Sequence, residues 1–128
     1  TFSPTVQDLI EQRFRGLTNH IAAAFGATAS IEYRRHTPCL INDPEQTTFA
    51  CDVAETVLGK TRVGRGAPLD MGSEDFAYML NDCPGAYIQV GNGPSAGLHH
   101  PEYDFNDDLI PVGCSYWVTL AEQRLAVA

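Results

Sequence analysis

Residues 3–35 read "SPTVQDLIEQRFRGLTNHIAAAFGATASIEYRR", and this stretch joins a helical pattern to a strand-like one. Ser3 suits the cap of a helix, and Pro4 suits its first position. Gly26 suits the residue that ends the helix. Between these residues, apolar side chains recur at three- and four-residue steps, which predicts an amphipathic helix with one apolar stripe. The members of this apolar stripe are Val6, Leu9, Ile10, Phe14, Leu17, Ile21 and Phe25.

The segment "TASIEYRR" (residues 28–35) alternates between apolar and polar side chains. Ala29, Ile31 and Tyr33 share one face, which predicts a half-buried strand of an antiparallel sheet. One helix and one strand cannot satisfy the strand's backbone groups or bury both apolar faces. We therefore expect that other chains complete the sheet or that this sequence is a piece of a larger protein.

A second helix is predicted after "IND". Asp43 can cap it, Pro44 occupies its first position, Gln46 can complete a capping box, and Gly59 ends it. The residues predicted to face the core are Phe49, Ala50, Val53, Ala54 and Val57.

Three further elements are predicted along the rest of the chain. Ser73 can cap a short third helix that stops near Asn81. The apolar run "AYIQV" (residues 86–90) predicts a short strand. Residues 111–127 predict a last helix with Pro111 in its first turn.

Composition excludes several classes of protein. The net charge is −8 and the chain has a single lysine, which argues against nucleic-acid binding because that needs clustered cations. No apolar run approaches the roughly 18 residues of a membrane span, and no signal-peptide pattern is present. No GxSxG, P-loop or GxGxxG motif supports a serine hydrolase or a nucleotide-binding protein.

The four cysteines are far apart and show no CxxC spacing, which disfavours a zinc ribbon or a redox dithiol. Cys51 and Cys114 fall in helical apolar patterns and are predicted to be small core residues. Unpaired thiols fit a reducing compartment, so we expect a cytoplasmic location.

The stretch "SAGLHHPEYDFND" (residues 95–107) places His99 beside His100 in what the glycine and proline predict to be a loop. One imidazole could be a metal ligand, both could be ordinary loop polar groups, or one could shuttle protons. A metal site needs three or four ligands, and the spacing of the other residues supplies no HxH or HExxH motif. The residues alone leave these alternatives open.

The stretch "MGSEDF" (residues 71–76) allows two interpretations. Gly72 and Ser73 could open a helix whose free amides hold an anion such as a substrate carboxylate. Alternatively, Ser73 is a plain cap, and Glu74 and Asp75 are acids that favour a first helical turn.

Four stretches occur together in one order: "IAAAFGATASIEYRR" with a following "NDPE", then "MGSEDFAYML", "PGAYIQVGNG" and "LHHPEYDFNDDLIPVGCSYW". In this combination the chain resembles the hippurate hydrolase and N-acyl-amino-acid amidohydrolase family. This group of di-metal exopeptidase-like enzymes includes the indole-acetyl-amino-acid hydrolases. The resemblance covers essentially the whole chain.

The resemblance implies an α/β fold, in which a catalytic domain that binds two metal ions carries an inserted α/β lid that often mediates dimerisation. Residues 1–36 would be the last helix and strand of the lid domain. Residues 37–43 would be a hinge. Residues 44–128 would be the C-terminal segment of the catalytic domain.

The resemblance also assigns roles to particular residues. The histidine directly after the leucine is the metal ligand in the family pattern, and that position is His99. The next position, His100, varies more in the pattern. The residues implied to line the substrate site are Gly72, Ser73 and Glu74, and those implied to brace the histidine loop are Asp104 and Asn106.

The reaction implied is hydrolysis of the amide bond of a small N-acyl amino acid such as hippurate, assisted by two divalent ions. One imidazole cannot distinguish zinc, manganese, cobalt and nickel. The family's other ligands and its glutamate base belong to an N-terminal half that this sequence lacks. We therefore expect an inactive fragment that holds no metal by itself and associates with a second copy. The alternative is a non-catalytic α/β interaction and dimerisation module.

Overall fold

The computed structural model describes residues 1–125, and in this part of the chain it contains four α-helices and one 3₁₀ turn. These elements are α1 (Pro4–Ala24), α2 (Pro44–Leu58), the 3₁₀ turn Lys60–Arg62, α3 (Phe76–Asp82) and α4 (Leu109–Arg124). No helix within residues 1–125 combines the length and the apolar character that crossing a membrane requires.

The chain divides into two compact units. The first unit comprises Thr1–Ile41 and Leu69–Cys83, and the second comprises Asn42–Pro68 and the described residues from Pro84 onward. The division into a lid, a hinge and a catalytic segment stays a prediction.

In the first unit, α1 ends as its glycine predicts. Gly26 has a φ of 69° and follows the last helical turn. Its N–H donates to the carbonyl of Ala23 at 3.0 Å, and the N–H of Ala27 donates to the carbonyl of Ala22 at 2.9 Å. These two bonds form a Schellman motif, which turns the chain back at the end of the helix. At the other end, Ser3 precedes the helix as predicted, but its side chain makes no capping bond.

The segment 28–34 packs against α1. Its odd-numbered side chains are half-buried, and its even-numbered side chains are exposed, as the alternation predicts. The rings of Phe14 and Tyr33 lie 6.0 Å apart. The guanidinium of Arg15 donates to the carbonyl of Ile31 at 3.3 Å.

The prediction of strands is not confirmed for the described residues, because neither 28–35 nor 86–90 forms a hydrogen-bonded strand there. A strand requires a ladder of backbone bonds to a neighbour, and alternation alone does not supply one. The α/β character of the fold therefore stays a prediction beyond the helices.

The amphipathic character of α1 is confirmed, but the helix places its polar stripe, and not its apolar one, on the half-buried side. The half-buried residues of this helix include Gln7, Glu11, Arg15, Thr18 and Ala22. The apolar stripe stays open to solvent, from 47% exposure at Val6 to 84% at Phe25, and no residue of α1 is fully buried.

Ion pairs join this polar stripe to the end of segment 28–35. Glu11 accepts hydrogen bonds from Arg15 Nε at 2.8 Å and from Arg35 Nη2 at 2.7 Å. Arg35 also pairs with Asp8, with Nη1 and Oδ1 2.6 Å apart. The bonds from Arg15 and then Arg35 hold the pKa of the Glu11 carboxyl below its ordinary value.

We predict that these ion pairs make stability depend on acidity. A depressed carboxyl pKa contributes stability that is present above the unfolded-state pKa, which is near 4.5, and is lost as the pH falls through the folded-state pKa. Glu11→Gln should therefore unfold at lower urea than the wild type at pH 7, and the difference between the two proteins should shrink as the pH falls below 4.5. A constant difference between the two proteins across this range would contradict the assignment.

In the second unit, half of the predicted capping box begins α2. The Asp43 carboxylate accepts a hydrogen bond from the Gln46 N–H at 2.9 Å. The Asp43 N–H donates to the carbonyl of Gly85 at 2.9 Å, so this backbone bond replaces the predicted return bond from Gln46. Gly59 ends the helix, as predicted, with a φ of 81°.

The core of the second unit lies where α2 packs against α4. Val53 is fully buried, and Ala50 and Tyr116 are 5% and 7% exposed. The Arg124 guanidinium lies 5.4 Å from the centre of the Phe49 ring, which adds a cation–π contact between the two helices. The predicted core face of α2 is therefore confirmed.

The other side of α4 is apolar and open. Cys114 is exposed, so the prediction that it is a core residue is wrong; the helix packs through the face of Tyr116 instead. Trp117 and Val118 are 61% and 57% exposed. The helix begins at Leu109, which puts Pro111 in its first turn as predicted, and the predicted extension to residue 127 lies outside the described residues.

Candidate functional site

The two adjacent histidines lie in a loop, residues 93–103, that a single asparagine closes at its neck. Asn92 Nδ2 donates to the carbonyl of Asp104 at 2.6 Å, and Asn92 Oδ1 accepts from the Asn106 N–H at 2.8 Å. Ser95 adds two bonds to the backbone of Asp104, with its hydroxyl 3.1 Å from the carbonyl and 3.2 Å from the N–H. We call residues 93–103 the histidine loop.

Asparagine suits the neck because its side-chain amide carries one carbonyl acceptor and a donor, as a peptide group does. It therefore pairs with the backbone on both sides of Phe105 in the way a neighbouring strand would. Gly93 follows with a φ of 80°, a left-handed conformation that glycine adopts without steric cost.

Within the loop, His99 occupies the third position of a tight turn. The His100 N–H donates to the carbonyl of Gly97 at 3.1 Å. His99 has a φ of 66°, and it is the one non-glycine residue with a positive φ in the described part of the chain. A positive φ at the third position and not at Leu98 defines a type II turn, which ordinarily has glycine or asparagine there. The exposed His99 side chain thus stands at the apex of the turn.

His100 is tied into the loop by its side chain as well as its backbone. Its carbonyl accepts from the Tyr103 N–H at 3.0 Å, so the residue belongs to two successive turns. Its ring Nδ1 accepts a hydrogen bond from the Glu102 N–H at 3.1 Å.

Asp104 and Asn106, the predicted braces, hold the loop through backbone groups. Their bonds to Asn92 and Ser95 use the Asp104 carbonyl and N–H and the Asn106 N–H. The Asn106 side chain accepts from the Asp108 N–H at 3.0 Å, directly before α4. A role for either side chain in holding a metal ligand stays a prediction.

The sequence reasoning missed Asn92 and Ser95. Asn92 stands between two glycines, a composition that marks turns and does not reveal a side chain that pairs with a segment 12 residues away. The signal that could have found it is the combination of a long glycine-rich loop and the need of its backbone groups for partners.

The predicted cap of the third helix is wrong. α3 begins at Phe76, three residues after Ser73. Glu74 Oε1 accepts from the Phe76 N–H at 3.2 Å, and the Gly72 N–H donates to Asp70 Oδ1 at 3.2 Å. The interpretation of Gly72 and Ser73 as an anion-binding helix terminus therefore loses its physical basis.

Gly72 and Ser73 do line a cavity of the first unit. Its volume is about 170 Å³, which is small beside the cavities of roughly 300–1,000 Å³ that hold drug-sized ligands. The residues that line it are Thr1, Phe2, Thr37, Pro38, Cys39, Leu40, Asp70, Met71, Gly72 and Ser73. A substrate-binding role for residues 72–74 stays a prediction.

The described residues do not form a metal site by themselves. His99 belongs to the second unit and residues 72–74 belong to the first. Within residues 1–125, no three histidine, cysteine or acidic side chains are grouped so that they could hold an ion. Within the histidine loop, His99 is the exposed imidazole whose ring nitrogens accept no backbone bond, whereas the ring of His100 accepts one. A hydrolytic metal needs at least three protein ligands.

Residues 3–123 match the family described as Peptidase family M20/M25/M40, and the chain belongs to this family. Its relatives include amidohydrolases, so the sequence resemblance to that group is confirmed. Members of the family generally bind divalent metals.

Three relatives illustrate the match. The N-acetyl-L-cysteine deacetylase of Bacillus subtilis (strain 168) is 33% identical over 125 residues, which are 98% of this chain and 29% of that protein. The IAA-amino acid hydrolase ILR1-like 2 of Arabidopsis thaliana is 30% identical over 125 residues, covering 91% of this chain and 28% of that protein. The N-acetyldiaminopimelate deacetylase of Geobacillus sp. (strain WCH70) is 29% identical over 119 residues, covering 93% and 31%.

This chain therefore spans less than a third of the length of these relatives. No solved structure matches it.

The turn geometry predicts that glycine and alanine rank in opposite order of stability at the neighbouring positions 98 and 99. At His99 the left-handed backbone penalises a Cβ, so His99→Gly should be more stable than His99→Ala by about 1 kcal/mol. At Leu98, where φ is not positive, glycine only adds unfolded-state entropy, so Leu98→Ala should be more stable than Leu98→Gly by about 0.5–1 kcal/mol. Equilibrium urea unfolding of the four variants measures both differences. The same order at both positions would refute the turn.

Proposed function

We propose that this chain is the C-terminal part of an M20-family amidohydrolase that cleaves the amide bond of N-acyl amino acids such as hippurate. The observation that carries the proposal is the exposed imidazole of His99, which a left-handed turn holds at the apex of a clamped loop in a chain of this family. Uncommon backbone conformations persist where the surroundings enforce them, and they cluster at functional sites.

The printed names of the relatives support this class of substrate. Two of them are deacetylases of N-acetylated amino acids, and the third is a hydrolase of IAA-amino acids. The chemistry common to all three is hydrolysis that releases an amino acid from an acyl group.

In the proposed enzyme, His99 is one ligand of a two-ion site, and the divalent ions supply Lewis-acid activation when they are bound. The other ligands and the general base come from outside the described residues, since these contain no grouped ligand set. The chain alone is therefore proposed to be inactive and metal-free. Gly72, Ser73 and Glu74 are proposed to contact substrate, and the cavity beside Gly72 and Ser73 has the size of a small side chain or acyl group.

The test uses the complete gene product that contains this chain. We expect it to hydrolyse hippurate or N-acetyl amino acids, and to lose this activity in chelator. His99→Ala should lower kcat/KM by at least about 100-fold, because even groups that only support a metal ligand are worth 10- to 100-fold. Bound metal, measured by atomic emission, should fall with it.

His20→Ala is the matched control, because His20 is exposed on α1 and has no assigned role. It should leave both kcat/KM and metal content unchanged. Full activity of His99→Ala would exclude this residue as a ligand. An inactive wild type would exclude the proposed reaction.

The proposal includes self-association, which is also what the alternative of a non-catalytic interaction module requires. The exposed apolar stripe of α1 supports it, because two antiparallel copies of one helix can cover identical stripes symmetrically. A cytoplasmic location stays part of the same proposal.

We predict that a charge within this stripe disrupts the assembly. Leu17, which is 63% exposed, lies near the middle of the stripe. Leu17→Glu should shift sedimentation velocity to the monomer, whereas Gln12→Glu adds the same charge elsewhere on α1 and should not. If Leu17→Glu sediments as the same assembly as the wild type, the interface lies elsewhere. If the complete gene product is inactive and its assembly gains no stability from metal, the alternative of a non-catalytic interaction module is favoured.

A further inference from the structure

Asn92, which closes the neck of the histidine loop, is followed directly by a glycine. The chain has five asparagines, and the residues that follow the other four are His20, Asp43, Asp82 and Asp107. Glycine has no Cβ, so no side chain shields its backbone nitrogen from the asparagine before it. Asn92–Gly93 is therefore the pair in this chain in which an asparagine amide has the least hindered access to the next backbone nitrogen.

The surroundings of Gly93 leave its nitrogen accessible for deamidation, the reaction that makes asparagine a labile residue. Among the described residues no acceptor binds the Gly93 N–H, and Gly93 and Pro94 are exposed. In this reaction the Gly93 nitrogen attacks Cγ of Asn92 and closes a succinimide ring. The Cγ–Nδ2 bond breaks, and Nδ2 leaves as ammonia with the proton of the Gly93 N–H. Water then opens the ring and leaves aspartate or isoaspartate at position 92.

The closed neck opposes this reaction. The planar amide of Asn92 is bonded on both sides, since Nδ2 donates to the carbonyl of Asp104 at 2.6 Å and Oδ1 accepts from the Asn106 N–H at 2.8 Å. Attack makes Cγ tetrahedral, which moves Oδ1 and Nδ2 out of the plane in which both bonds form. The barrier to deamidation is therefore lower whenever the neck opens.

The product of the reaction does not restore the neck. A carboxylate accepts hydrogen bonds and has none to donate. Aspartate at position 92 therefore sets a carboxylate oxygen against the Asp104 carbonyl, where Nδ2 donates in the unmodified chain. It also adds a negative charge to a segment that already contains Glu102, Asp104 and Asp107, and like charges repel.

We propose that Asn92–Gly93 is a site of spontaneous deamidation, and that the reaction opens the histidine loop irreversibly. The closed neck protects the amide, each opening of the neck exposes it to attack, and the product holds the neck open. Both reacting groups belong to this chain and the co-reactant is water, so the proposal does not depend on the proposed function.

Mass spectrometry of the aged complete gene product tests the site. Trypsin cleaves after lysine and arginine, and the single peptide of residues 66–124 contains Asn81, Asn92 and Asn106. After incubation of the folded protein in mildly alkaline buffer, fragment spectra of this peptide should place the exchange of NH₂ for OH at Asn92 before either of the other two positions. An exchange that begins at Asn81 or Asn106, or no exchange at Asn92, would overturn the proposal.

Ser95→Ala tests whether the neck controls the rate, because it removes the hydroxyl that bonds both backbone groups of Asp104 and leaves Asn92–Gly93 intact. Deamidation in the folded protein should accelerate about three- to tenfold, the factor for losing one hydrogen bond, and should match the wild type in urea. The matched control is Ser115→Ala, which removes an exposed hydroxyl of α4 and should leave the rate unchanged. Equal rates in folded Ser95→Ala and wild type would show that the neck does not control the reaction.

Asn92→Asp installs the product and tests its effect on the loop. Hydrogen exchange at the N–H groups of His100 and Tyr103, which bond within the loop, should be faster than in the wild type because an open neck frees both turns. Asn106→Asp is the matched control, since it adds the same charge and keeps the acceptor for the Asp108 N–H. It should exchange at the wild-type rate. If Asn92→Asp also exchanges at the wild-type rate, the neck survives deamidation and the proposed opening is wrong.

Discussion

The pairing of the Asn92 side-chain amide with the backbone of residues 104–106 is the interaction on which the candidate site depends. A loop that leaves and rejoins a domain must find partners for its backbone groups at the neck, or bury them unsatisfied. Asn92 provides one donor and one acceptor there, and Ser95 adds a hydroxyl. With the neck closed, the eleven residues 93–103 between Asn92 and Asp104 form a loop short enough for consecutive turns to fix both histidines.

A second asparagine of the second unit also pairs its side-chain amide with the backbone of a distant segment. Asn42 donates to the carbonyl of Tyr87 at 2.9 Å and accepts from its N–H at 2.8 Å. The stretch that follows Pro84 was predicted to be a strand, and an asparagine amide occupies the position of one strand neighbour. Side-chain amides thus order irregular segments where the described residues contain no sheet.

The sequence predicted best what is decided locally. Helix ends at Gly26 and Gly59 and the cap at Asp43 depend on residues within one turn, so glycine conformation and carboxylate geometry settle them. The predicted strands are not confirmed, because a hydrogen-bonded ladder needs a partner segment that the periodicity of one segment cannot reveal. The prediction that Ser73 caps the third helix is wrong because the carboxylate of the next residue, Glu74, accepts the hydrogen bond from the first helical N–H.

For the two adjacent histidines, the residues alone left three possible roles: metal ligand, ordinary loop polar group and proton shuttle. The family resemblance then identified His99 as the metal ligand. Neither source predicted the left-handed turn, because glycine or asparagine ordinarily fills that position. Nor could spacing predict that an amide two residues ahead fixes the ring of His100. Both features arise from the path of the loop, which a neck residue several positions away determines.

The reversal of the chain at Gly26 has a consequence for how the first unit acquires its structure. The polar contacts of α1 with the returning segment join residues only 16 to 27 positions apart. Closing so short a loop costs little chain entropy, and topologies dominated by nearby contacts reach their native state quickly. This hairpin of a helix and an extended segment can therefore assemble as soon as residue 35 has left the ribosome, before any of the histidine loop has been synthesised.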